Sequence, residues 1–186
     1  IDTLRQLLVQ STLPNFSAWG AWCREIGTRY HARQEHTQQP GAPLNPYVVV
    51  DRIFRQMRDD DIAVCGNASA CILPFQMAHL TANQRLFSNS GSASMGYDLP
   101  SAIGAAFAGA KDSKRRVICF AGDGSLQMNI QELQTLKTTG RNVIVVVINN
   151  AGYLSIWQTH ENFFGRVIGA TPASGVEFPD FESVAK

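Results

Sequence analysis

Three short apolar runs set the frame for this chain: Ile62-Ala63-Val64-Cys65, Val117-Ile118-Cys119-Phe120-Ala121 and Val143-Ile144-Val145-Val146-Val147-Ile148. Each is a few residues long and lacks polar alternation, as expected of strands covered on both faces in a parallel sheet. Segments with helical spacing precede the first run at residues 47–57 and lie between the runs at 70–80, 99–110 and 130–139, and residues 85–88 read as one further short strand. Asp98 and Pro100 mark a helix start, Gly140 marks a helix end, and Asp59-Asp60-Asp61 reads as a turn. Strands alternating with helices imply right-handed crossovers and an α/β fold, a parallel sheet flanked by helices on both faces. Ligands of such sheets sit beyond the carboxyl ends of the strands. Here those ends carry Gly66-Asn67-Ala68, Gly122-Asp123-Gly124-Ser125 and Asn149-Asn150-Ala151-Gly152, all expected on one edge.

The first part of the chain is of another kind. Residues 1–37 read as helical, broken at Pro14, with Ser17 as a cap for the second helix. Residues 38–46 hold three prolines and a glycine and mark a domain edge. Residues 1–43 are therefore expected to lead in from a preceding domain, and residues 44–186 to form the domain proper. The chain opens on Ile1, and the helix started by Asp180 has little sequence after it, so both ends are expected to be edges of a longer polypeptide. A formal net charge of +1 gives no reason to expect nucleic acid or a membrane surface as partner. The basic run Lys114-Arg115-Arg116 reads as a solvated loop. Four cysteines without metal-ligand spacing imply free thiols in a reducing compartment, the cytoplasm by default.

The strand ends carry the chemistry. Two glycines around Asp123 let the backbone turn sharply and approach a ligand closely, and a helix beginning there offers N–H groups to a phosphate. A carboxylate beside a phosphate is repulsive unless a cation bridges them, which points to Mg2+. Asn150, at the end of the next strand, can supply a neutral oxygen to the same ion. Alone, Gly-Asp-Gly is more often merely a tight turn, and Asn149-Asn150 alone is a common turn with left-handed asparagines.

Taken together the motifs resemble a family. Gly-Asp-Gly, residues 125–148, then Asn-Asn is similar to the signature of thiamine-diphosphate enzymes. The segment Met95-Gly96-Tyr97-Asp98-Leu99-Pro100-Ser101-Ala102-Ile103-Gly104-Ala105 resembles the corresponding stretch of the acetolactate synthase branch. The resemblance covers roughly residues 44–182. It implies a diphosphate-binding domain with thiamine diphosphate and Mg2+ as cofactors, and Asp123, Asn150 and the Gly152 carbonyl as metal ligands. Met95 would be the residue over which the cofactor folds, with backbone groups of Ala93 and Met95 bonding its aminopyrimidine. Relatives often carry glycine where Ala93 stands. Gly66, Asn67 and Ala68 match a loop touching the diphosphate, where synthases often show Gln-His. Gly122, Gly124 and Ser125 frame the metal turn. Tyr153, Leu154 and Ile156 belong to the loop after it, Ile156 on the substrate side.

The resemblance further implies decarboxylation of a 2-oxo acid such as pyruvate and transfer of the acyl unit to a carbonyl acceptor. The residues of the later loop look closer to synthase-like members of sugar and polysaccharide pathways. The activating glutamate is expected on a pyrimidine-binding domain absent here, so no catalytic residue is assigned in this chain, which alone is expected to be inactive. The full-length enzyme would be a dimer or tetramer, and FAD, held by a central domain in some relatives, would belong only to that longer protein. Three other readings stay open: a non-catalytic Mg–phosphate or nucleotide-binding module, a purely structural subunit, and a simple 2-oxo acid decarboxylase. For the first, Gly91-Ser92-Ala93-Ser94-Met95-Gly96 departs from the Gly-x-Gly-x-x-Gly fingerprint by an alanine. His31 and His36 are expected at the surface, His79 at a helix end, and His160 just after the metal loop, with no role in the site assigned to it.

Overall fold

The computed structural model describes residues 1–12, 14–31, 36–108 and 115–186. The strands β1 (Ile62–Cys65), β2 (Arg85–Ser88), β3 (Val117–Gly122) and β4 (Val143–Ile148) form one sheet in the order β2-β1-β3-β4. Every neighbouring pair is parallel, with Cys65 level with Phe120 and Gly122 level with Ile148. Helix α3 (Pro46–Arg55) precedes β1, α4 (Ser69–Met77) joins β1 to β2, α5 (Asp98–Phe107) joins β2 to β3, α6 (Asp123–Met128) and α7 (Glu132–Thr139) join β3 to β4, and α8 (Leu154–Thr159) follows β4.

Side chains on a strand alternate between faces, and the core divides accordingly. Ala63, Cys65, Ile118 and Phe120 meet Val50 and Phe54 of α3 and Leu73 and Met77 of α4. Ile62, Val64, Val117, Cys119 and Ala121 meet Leu99, Ala102 and Ile103 of α5 and Leu126 of α6. The expected α/β fold, with helices on both faces of a parallel sheet, is the one observed. Phe120 is fully buried and its ring stacks on Phe54 with centroids 5.7 Å apart. Phe120→Ala is expected to cost about 3–5 kcal/mol, read as a lowered denaturant midpoint at unchanged slope.

The turn expected at Asp59-Asp60-Asp61 is observed, closed by Asp61 N–H donating to the Arg58 carbonyl at 3.1 Å. Other local expectations are corrected or extended. Asp61 is fully buried and its carboxylate accepts from the Arg58 N–H at 2.8 Å. Arg116 pairs with it through Nη2 at 2.5 Å and Nε at 3.1 Å. That guanidinium is therefore a bidentate clamp between the start of β3 and the turn before β1, not a solvated loop cation. Lys114 lies outside the described residues. Ser17 is the first residue of α2 (Ser17–Arg29), and Asn15 supplies the side-chain acceptor for its N–H at 2.9 Å. Asp98 does not cap α5 from outside but is its first residue, and Ala108 closes that helix, residues 109–110 lying outside those described. Asp180 caps the closing helix α9 (Phe181–Val184) as expected, accepting from Glu182 N–H at 3.1 Å. Neither α1 (Asp2–Gln10) nor α2 buries a residue, whereas α3 enters the core.

Candidate functional site

The carboxyl ends of β1, β3 and β4 open onto one cleft. Its walls are Asn67 and Ala68 after β1, Met95 from the loop before α5, residues 122–125 after β3, and Asn150, Gly152, Tyr153, Leu154 and Ile156 after β4. Thus nearly all the residues singled out from the sequence converge. Gly66 and Ala93 do not line the cleft. A Cβ on Gly66 would come within 2.4 Å of Asp98 Oδ2, so this glycine allows β1 to pack against α5 beneath the site. Ala93 sits behind, its carbonyl accepting from the Asn67 side chain. Ser69, Ala70, Ile148 and Ser155 also line the cleft and were not singled out. Ile148 read only as strand and Ala70 only as helix, and Ser69 fell between the strand-end motif and that helix.

His160 does not line the cleft, in keeping with its having no assigned role. Its Nδ1 accepts the Ile168 N–H at 3.3 Å and its ring meets Phe164 edge-on, away from the cleft lining. His36 stacks on Tyr47, and His31 on His79 with Nε2 atoms 2.7 Å apart.

Asp123 organises the cleft floor. Only 2% exposed, it accepts from the N–H of Gly124 at 2.7 Å through Oδ1. Its Oδ2 accepts from Asn150 N–H and Gly152 N–H, each at 3.1 Å. One carboxylate thus ties the end of β3 to the loop after β4. A carboxylate offers about four acceptor positions, so one remains for a cation. The Asn150 side chain lines the same space and makes no hydrogen bond among the described residues. Among the described residues no group of three or more His, Cys, Asp or Glu is placed to hold a metal. A cation here would share one carboxylate with neutral oxygens and a ligand's phosphate, the pattern that suits Mg2+.

The lining contains no Lys, Arg or His. An anionic ligand therefore meets a single protein charge, negative, and depends on a cation and on backbone N–H groups. The start of α4, with Ala68, Ser69 and Ala70 on the cleft wall, provides such groups at the positive end of a helix.

Backbone strain is concentrated at the same edge. The non-glycine residues in the left-handed region, among those described, are Ala68 (φ 49°), Ala93 (φ 50°) and Ala151 (φ 58°). Each is on or directly beside a loop of the cleft. Such conformations persist only where surrounding contacts impose them, and they gather at sites of function. Gly124 and Gly152 are needed for space instead: a Cβ would come within 2.2 Å of Tyr153 Cε1 and 2.3 Å of the Ala170 carbonyl oxygen, respectively.

With this geometry in view, comparison with known sequences is decisive: the family described as "Thiamine pyrophosphate enzyme, C-terminal TPP binding domain" matches residues 66–186. The chain belongs to that family. Relatives of this thiamine pyrophosphate enzyme domain include acetolactate synthase isozyme 1 large subunit of Escherichia coli (strain K12), 31% identical over 73% of this chain and 24% of the relative. Acetolactate synthase 1, chloroplastic, of Oryza sativa subsp. japonica aligns with 100% of the chain at 26% identity, covering 29% of its own length. The acetolactate synthase large subunit of Buchnera aphidicola is 40% identical over 62% of the chain and 20% of the relative. The resemblance to the acetolactate synthase type therefore holds. The chain spans between about a fifth and a third of the length of these curated relatives. Among the described residues no helix is long and apolar enough to cross a membrane.

Proposed function

We propose that this domain holds thiamine diphosphate through Mg2+ in an acetolactate-synthase-like enzyme that decarboxylates a 2-oxo acid, pyruvate in the simplest case, and passes the acyl unit to a carbonyl acceptor. The observation that carries this reading is the Asp123 carboxylate, braced by N–H groups from two loops in a cleft without a protein cation. Asp123, the Asn150 amide oxygen and the Gly152 carbonyl are the residues assigned to the metal, and Asn67, Ala68 and the start of α4 to the diphosphate. Met95 supports the folded cofactor, with Ala93 and Met95 backbone groups set against the aminopyrimidine. Tyr153, Leu154 and Ile156 wall off water, and Ile156 lies toward the substrate. When bound, the cofactor supplies a nucleophilic carbon that adds to the 2-oxo acid.

No glutamate lines the cleft among the described residues, which supports assigning the activating group to a pyrimidine-binding domain elsewhere in a homo-oligomer, a dimer or tetramer. Residues 1–43 are assigned as a lead-in and residues 44–186 as the domain. The cysteines Cys23, Cys65, Cys71 and Cys119 are all free, which supports a reducing compartment such as the cytoplasm.

Calorimetric titration of the full-length enzyme with thiamine diphosphate is the direct test. Binding is expected in Mg2+ and lost in a chelator, with no comparable binding of ATP or NAD. Equal affinity with and without divalent cation would refute the metal assignment, and preference for ATP would favour a nucleotide-binding module.

A further inference from the structure

Past the loop after β4 the chain folds back on the cleft and brings a further aromatic ring with it. Residues 169–176 form a turn bonded to itself, with Gly169 N–H donating to the Ser174 carbonyl at 3.0 Å and Val176 N–H to the Thr171 carbonyl at 3.1 Å. Within it the carbonyl of buried Ala170 accepts the Tyr153 N–H at 2.8 Å. Further on, Pro179 restricts Phe178 to extended backbone, Asp180 caps α9, and Phe181 packs against the core on the α5 face of the sheet. Phe178 is thus carried by a strap anchored at both ends.

Phe178 does not line the cleft, but it meets Tyr153, which does. The two rings pack edge to face, with centroids 5.5 Å apart and planes at 85°. Both lie on Gly124, where a Cβ would come within 2.2 Å of Tyr153 Cε1 and 3.1 Å of Phe178 Cζ. Gly124 adjoins Asp123 in the turn after β3, and Tyr153 adjoins Gly152 in the loop after β4. The two halves of the assigned metal site are therefore clasped twice. One clasp is polar, the Asp123 carboxylate accepting from Asn150 and Gly152. The other is apolar, the packing of Tyr153 and Phe178 on Gly124.

We propose that Phe178 is a positioning residue for the metal end of the cofactor site. It backs the Tyr153 ring against Gly124 and so holds the turn carrying Asp123 against the loop carrying Asn150 and Gly152. The inference rests on the cofactor reading above and deepens it. Because Phe178 lies outside the cleft lining, its effect passes through Tyr153.

Calorimetric titration of the full-length enzyme with thiamine diphosphate over a series of Mg2+ concentrations tests this. Phe178→Ala is expected to raise the Mg2+ needed for half-maximal binding about tenfold, the scale of one edge-to-face aromatic pair. Excess Mg2+ is expected to bring the Kd back to within about threefold of the parent's, because the assigned ligands are all retained and mass action reassembles them. Phe178→Leu keeps an apolar group on the Tyr153 ring and is expected to raise the requirement only about threefold. In a Tyr153→Ala background Phe178→Ala is expected to add nothing, since the ring through which it acts is gone. A full tenfold effect in that background would overturn the proposal, as would a loss that excess Mg2+ leaves untouched. So would a Phe178→Ala protein that melts lower but keeps the parent's Mg2+ requirement. If Phe178→Ala does not fold, Phe178→Leu takes its place in the cycle, its threefold effect vanishing in the Tyr153→Ala background. A parent enzyme that binds no thiamine diphosphate, or binds it without divalent cation, would instead strike the cofactor reading itself.

Discussion

Gly152→Ala is expected to abolish detectable cofactor binding and to cost about 1–3 kcal/mol of stability, the range for forcing atoms into a packed site. The added Cβ would come within 2.3 Å of the Ala170 carbonyl oxygen and 3.3 Å of its carbon, both main-chain atoms. Ala170 cannot withdraw easily. Its carbonyl accepts the Tyr153 N–H at 2.8 Å, and its own N–H donates to Ser174 Oγ at 3.0 Å within a turn capped by Thr171. The easier adjustment moves residue 152 instead, and that breaks the 3.1 Å bond from its N–H to Asp123 Oδ2. The strain is thus relieved at the cleft. Thermal melting and calorimetric titration of the full-length variant measure both effects, and intact affinity at an unchanged melting temperature would show that the loop after β4 is not held as described.

The fold was legible in the sequence because parallel strands buried on both faces are written as uninterrupted apolar runs, and residues 62–65, 117–121 and 143–148 have no other comfortable reading. The three chemically marked strand ends followed from topology alone, since parallel strands present their carboxyl ends on one edge. Other features depend on partners distant in sequence. Asp61 and Arg116 are far apart along the chain, so Asp61 read only as part of a turn and Arg116 as a solvated loop residue until the sheet brought β1 beside β3. Asp98 read as a helix cap, and its full burial, with Oδ2 against Gly66, follows from packing the sequence does not display. Helix α6 begins at Asp123 itself, in a stretch whose glycine and serine are poor helix formers. It is held by the burial of Leu126 and by Ser125's bond to Gly96, neither visible from propensity. The convergence of Met95 with the strand ends rested on the family resemblance, because no local pattern says where a loop before α5 will lie.

Asp123→Asn is expected to weaken Mg2+-dependent binding of thiamine diphosphate by at least a hundredfold, although the side chain keeps its shape. The carboxylate accepts three main-chain N–H groups, one through Oδ1 and two through Oδ2. An amide has one oxygen and one NH2 group, so in either orientation the NH2 faces an N–H donor. A bond to a charged acceptor contributes about 1.5–3 kcal/mol, and an unpaired buried donor costs a further penalty. Two such losses exceed the roughly 2.7 kcal/mol that corresponds to a hundredfold change in affinity. Scaffold and ligand roles can be separated by raising Mg2+. If Asp123 served the metal alone, excess Mg2+ would restore binding and the melting temperature of the ligand-free protein would not change. Because the same carboxylate holds the loop carrying Asn150 and Gly152, the ligand-free variant is expected to melt lower and excess Mg2+ to recover little of the affinity. Binding as tight as the parent's would remove Asp123 from the centre of the site.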